Sequence, residues 1–152
     1  MLLLLTFNMF GCELMEYDDI SSNKLELPFI NAKYVSQKEL LIFGINTDGN
    51  YKNKVINHFS IIEPPGIGGR YVISKETLPI DTVIKIIKVE RCNNCLPFTE
   101  EKRFIVELTN NKTYKNRIIE LDKEKIIYFK KIQQTHNNAF NIGRAKAARP
   151  LT

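Results

Sequence analysis

Between residues 28 and 131 the chain is interrupted by turn residues roughly every ten positions, and no stretch between them keeps a helical period. The breaks fall at Thr47-Asp48-Gly49-Asn50, Pro64-Pro65-Gly66-Ile67-Gly68-Gly69, Leu78-Pro79-Ile80-Asp81 and Asn110-Asn111-Lys112. Segments this short are too brief for helices that bury an apolar stripe, but they suit strands. Candidate strands cover 28–35, 38–45, 54–62, 70–74, 82–92, 102–109, 114–121 and 123–131. About eight short, mainly antiparallel strands predict an all-β domain, a small barrel or sandwich.

Local patterns give some strands more detail. Leu40-Leu41-Ile42-Phe43 is apolar at every position, as in a strand covered on both faces. In 54–62, Val55, Phe59 and Ile61 share one face and His58 and Ser60 the other. Residues 82–92 are the most β-branched piece, with Val83, Ile84, Ile86, Ile87 and Val89, but the alternation breaks at Ile86-Ile87, which predicts a bulge. In 102–109, Phe104, Val106 and Leu108 alternate with Arg103 and Glu107. At 126–129, Ile126 and Tyr128 oppose Ile127 and Phe129.

A chain of 152 residues is long enough for one domain with its own core. Its net charge is 22 − 17 = +5. Arg144, Lys146 and Arg149 give the acid-free stretch 132–152 a charge of +3, and residues 1–11 have none. The remaining body therefore carries only +2, which argues against nucleic acid as a partner. Residues 132–152 read as a basic flexible tail.

The chain opens Met1-Leu2-Leu3-Leu4-Leu5-Thr6-Phe7-Asn8-Met9-Phe10-Gly11-Cys12 and then becomes polar and acidic at Glu13, Glu16, Asp18 and Asp19. The apolar run is far shorter than the ~20 residues of a spanning helix and has the length of a secretory h-region. This arrangement resembles a bacterial lipoprotein signal peptide, whose lipobox ends in a small residue followed by cysteine. Met9 stands where that family usually has Leu, and Phe10 is larger than the usual residue. The resemblance implies that 1–11 is the removed signal peptide and that Cys12 becomes the lipidated first residue of the mature chain. It also implies a cell-envelope location, with the membrane as a partner through the lipid anchor. Residues 12–27 then read as an acidic, polar tether, and 28–131 as the folded domain.

Three cysteines are an awkward number for an exported protein. If lipid consumes Cys12, Cys92 and Cys95 remain as a pair. Cysteines at i and i+3 of a tight turn come within disulfide range, and the loop so closed is too small to gain much chain entropy. Three readings of the pair stay open. It is a disulfide or two thiols in a structural role, half of a zinc site, or a redox couple. Zinc requires further ligands, and His58 and His136 do not form the usual paired spacing. A redox couple usually opens a helix, whereas Leu96-Pro97-Phe98 follows here.

Other constellations are thin. Gly66, Gly68 and Gly69 precede strand-like Arg70-Tyr71-Val72-Ile73, so the helix that a phosphate cradle requires is missing and the loop reads as an inter-strand connection. His58 and Ser60 share a strand face without an obvious orienting acid. Asp18-Asp19 and Glu100-Glu101 fall in polar connectors. Tyr114-Lys115-Asn116-Arg117 and Tyr128-Phe129-Lys130-Lys131 interleave aromatics with cations, as an OB-like nucleic-acid binder would. The leading expectation is a non-enzymatic envelope lipoprotein that presents its β-domain to an envelope or extracellular partner. It has no catalytic residue, metal or cofactor to assign. A zinc or redox protein built on Cys92 and Cys95, and an OB-like binder, are the alternatives.

Overall fold

The computed structural model describes residues 15–48, 54–95, 101–109 and 111–133. The expected signal peptide 1–11, Cys12, His136 and nearly all of the basic tail lie outside these residues. Within the described residues nine strands form one sheet: β1 (Tyr17–Asp19), β2 (Lys33–Ser36), β3 (Leu40–Ile45), β4 (His58–Ile62), β5 (Val72–Leu78), β6 (Val83–Cys92), β7 (Lys102–Leu108), β8 (Ile119–Asp122) and β9 (Phe129–Lys131). The order is β5-β3-β4-β8-β7-β6-β2-β9, with β1 also paired to β6. The pairings are antiparallel except for β4 with β8. The expected all-β class is present, and its finer form is a single mixed sheet that is not closed into a barrel.

β6 is the spine of this sheet. β7 pairs along nearly its whole length. On the opposite side its two halves take different partners, β2 at Val83–Lys85 and β1 at Glu90–Cys92. The ladder with β7 slips between Ile86 and Lys88, so the bulge expected at Ile86-Ile87 is present. Ile86 is fully buried while Ile87 is turned partly out to solvent.

One face of the sheet carries the main core. Leu40, Ile42, Ile61, Ile119, Leu121, Phe104, Val106, Val89, Ile86, Ile84, Tyr34 and Phe129 form a single buried cluster. These residues come from β2, β3, β4, β6, β7, β8 and β9, so the sheet curls around its own apolar side. The reverse face holds a smaller cluster of Leu41, Phe43 and Ile45, with Ile62, Ile67 and Val72 against it. β3 is therefore covered on both faces, as its unbroken apolar run predicts.

The glycine-rich loop supplies that second cover. Ile67 packs on the smaller cluster, and Gly66 takes φ +80° directly over Phe43. A Cβ on Gly66 would overlap the Phe43 ring and stand 3.1 Å from Leu41 Cδ1. Glycine is needed here for backbone conformation and for close approach together.

Several expectations are corrected. The segment read as a tether joins the fold from Tyr17 onward: β1 extends the sheet, Ile20 enters the core, and Glu26 is buried. Residues 28–31 make turns, and strand begins only at Lys33. Val55 is exposed and precedes β4. β5 runs on past Ser74 to Leu78. Tyr114 lies in a turn, and Lys123–Tyr128 is a 3₁₀-helix rather than strand. Ile127 consequently points to solvent, 71% exposed.

Candidate functional site

The disulfide turn and the N-terminal segment are built as one unit. β6 ends at Cys92, and the chain bends so that Cys92 and Cys95 are disulfide-bonded, with Cα atoms 5.7 Å apart. The Cys92 N–H donates to the Glu101 carbonyl at the start of the return strand. Glu16 is clamped against the turn from both sides. Its N–H donates to Asn94 Oδ1 at 2.7 Å, and its carbonyl accepts the Asn93 N–H at 2.8 Å. β1 then continues the ladder, with Tyr17 opposite Cys92. Ser21 fixes the far side, since its hydroxyl accepts the Val89 N–H at 2.9 Å.

A cleft lies at the other end of β6. Its volume is about 250 Å³, and its lining includes Glu76, Asp81, Thr82, Thr109, Asn111 and Tyr114. The Tyr114 ring is buried edge-on against Phe59, with centroids 5.1 Å apart. Its hydroxyl and the Glu76 carboxylate line the cleft together. Burial, and then the Glu76 charge, push the Tyr114 phenol far above its usual pKa, so it stays a donor at any physiological pH. No lysine or arginine lines this cleft among the described residues, whereas two carboxylates do. It therefore suits hydrogen-bond donors of side-chain size, below the ~300 Å³ at which small-molecule sites begin.

The reverse face and the chain's early turns carry charge ladders. Glu90 accepts from Arg103 Nε at 2.8 Å and from Lys88 Nζ at 2.7 Å, while Arg103 Nη1 donates to Glu120 at 2.8 Å. The Arg103 guanidinium stacks 3.4 Å from the Tyr17 ring centroid, which ties β1 to β7 across β6. Glu26, 2% exposed, accepts from Lys123 Nζ at 2.9 Å and from Lys102 Nζ at 3.4 Å. These pairs are extensively hydrogen-bonded structural links. No titratable group among them stands idle in the cleft.

Three carboxylates in such links have lowered pKa values. Burial works against ionising Glu26, but Lys123 and Lys102 outweigh it. Tyr128 and Lys38 hydrogen bonds bring Glu63 down to about 2. Asp19 is lowered by the Ser21 hydroxyl and N–H. A depressed folded pKa means that the unfolded chain binds protons first as the pH falls. The stability these groups contribute is thus complete above their ordinary values, near 4.5 for glutamate, and is lost below them. Thermal melts between pH 7 and pH 2 are expected to show a flat Tm down to about pH 5, then a steady fall toward pH 2. A Tm that rises on acidification would contradict these links.

The sequence-level candidates fare differently. Cys92 and Cys95 are brought together, and Cys12 lies outside the described residues. His58 and Ser60 face the smaller cluster's side of the sheet, opposite Ile45 and Phe43, and His58 Nδ1 sits 3.2 Å from Asn57 Oδ1. Asp18 and Asp19 are neighbours on a strand and so point to opposite faces. Tyr114 and Phe129 are buried, and the Lys38 ammonium covers the Tyr128 ring at 3.4 Å, so these aromatics form no open stacking surface. Among the described residues, no group of three or more His, Cys, Asp or Glu could hold a metal. Nor is any described helix long and apolar enough to cross a membrane. Glu76 carries no signal in the sequence, because Tyr114, which lines the cleft with it, arrives from a turn far along the chain. The chain matches no family model, no curated protein and no solved structure.

Proposed function

We propose that this chain is an envelope lipoprotein: an all-β domain held on a membrane through lipid on Cys12, which it presents to an envelope or extracellular protein. One observation carries the reading. Cys92 and Cys95 are bonded to each other, so the cysteine that ends the lipobox-like run is left over from the disulfide. A structural disulfide belongs to an oxidising compartment, and export is what a signal peptide provides. Lipid anchorage follows hydrophobic arithmetic. Each buried methylene contributes about 0.8 kcal/mol, so two or more acyl chains hold a domain firmly where one is marginal. The domain itself is offered as a binding module. Its cleft is lined by two carboxylates, Glu76 and Asp81, and no lysine or arginine among the described residues, an arrangement that favours contact with donor groups on a partner.

The test is direct. Expressed in a bacterium with its lipoprotein-processing enzymes, the protein is expected to lose residues 1–11 and to carry a diacylglyceryl adduct on Cys12 by mass spectrometry. The Cys12→Ser variant is expected to lack the adduct and to retain Met1. An intact, unmodified Met1–Thr152 chain from the wild type would refute the proposal.

A further inference from the structure

We infer that the disulfide turn is the membrane-facing pole of the domain and that the Glu76–Tyr114 cleft is its outward pole. This rests on the lipoprotein reading above and deepens it. Only four residue steps separate Cys12 from Glu16, since 16 − 12 = 4. Fully extended, four residues reach about 14 Å. The attachment point is not free to retreat along the chain, because both backbone polar groups of Glu16 are engaged by Asn93 and Asn94. Beyond Glu16 the chain is committed to β1, to Ile20 in the core and to the Ser21–Val89 hydrogen bond. A longer tether would require peeling all of these away.

The cleft sits at the far end of the same strand. β6 runs ten residues from Val83, which lines the cleft, to Cys92 in the disulfide. At about 3.3 Å per residue this separates the two poles by roughly 30 Å. Turning the cleft onto the lipid would require Glu16 to stand about that far from the headgroups, twice what the linker spans. The partner of the disulfide pole is therefore the headgroup layer of the bilayer that carries the acyl chains. The partner of the cleft lies on the other side of the domain.

The lipidated protein leaves no free thiol, because Cys12 is a thioether and Cys92 and Cys95 are bonded. A single added cysteine can thus carry a fluorophore. Asp18→Cys labels the disulfide pole and Lys112→Cys the cleft pole, both at exposed positions. Each labelled protein is reconstituted into phosphatidylethanolamine–phosphatidylglycerol vesicles that contain a headgroup-nitroxide lipid. Quenching is expected to be at least three-fold stronger at position 18 than at position 112. Inserting twelve Gly/Ser residues after Glu13 is expected to erase most of that difference. Equal or reversed quenching in vesicle-bound, lipidated protein overturns the pole assignment alone. An unchanged difference after the insertion also overturns it, because the short linker would then not be its cause. Absence of the adduct on Cys12 overturns the anchorage and the pole assignment together, and mass spectrometry of the same sample separates that result from the others.

Discussion

Phe104→Ala lowers the stability of the domain by about 3–5 kcal/mol. Phe104 is fully buried at the centre of β7, between Val89 of β6 and Leu121 of β8. Phe29, from the turns that follow β1, packs on it with ring centroids 5.2 Å apart. Removing the ring takes away transfer free energy and leaves a cavity that β7 is poorly placed to fill, since its neighbours on both sides are hydrogen-bonded to it. A domain of this size has only about 5–15 kcal/mol in hand, so a large part of its stability is lost. Urea unfolding should show the midpoint falling with the slope unchanged. The exposed Ile127→Ala serves as comparison and should stay within about 0.5 kcal/mol of wild type. A loss under about 1 kcal/mol for Phe104→Ala would mean that the ring is not at the centre of the core.

Gly66→Ala is the second large effect, expected at roughly 2–5 kcal/mol. Two costs combine. A left-handed backbone disfavours any Cβ by about 1–2 kcal/mol, and forcing a methyl into the Phe43 ring adds about 1–3 kcal/mol of overpacking. Gly68, in the same loop, has open space where a methyl would go, with no atom within 4 Å, and no positive φ. Gly68→Ala should therefore be nearly neutral. The contrast between two glycines two residues apart separates a built cover over Phe43 from a merely flexible loop. Equal melting temperatures for the two variants would show that the loop does not seal the smaller cluster.

How far the fold was legible follows from where its information lies. β3, β6 and β7 carry their own signal: an apolar run with two buried faces, a β-branched run with its bulge, and a clean alternation. The alternation in β7 still concealed one thing. Ile105 belongs to the polar face and is buried there, opposite Lys88 and Glu120. β1 was invisible because Tyr17-Asp18-Asp19 has no strand character of its own and is a strand only by pairing with β6. The 3₁₀-helix at Lys123–Tyr128 reads as strand in the sequence because Ile126, Ile127 and Tyr128 favour strands locally. The parallel pairing of Phe59 with Ile119 joins positions sixty residues apart, which no local pattern reveals. At the candidate sites, the Cys92–Cys95 spacing marks the pair but leaves its chemistry open until the two sulfurs are seen bonded, whereas the meeting of Tyr114 and Glu76 in one cleft depends on how the sheet curls.

Because the sheet of the described residues does not close, its strand order ends at β5 and β9, beside the short outer edge of β1, and such edges could recruit a strand from a neighbouring molecule. That hazard grows when many copies crowd on one surface. The chain answers it differently at β9 and at β5. β9 is three residues long and carries Lys130 and Lys131, too short and too cationic a template for self-assembly. β5 is longer, but Glu76 lies opposite Ile42 and so puts a carboxylate on its apolar side. An incoming strand would have to bury that charge against hydrocarbon. The residue that lines the cleft thus also sets a charge at this edge of the sheet.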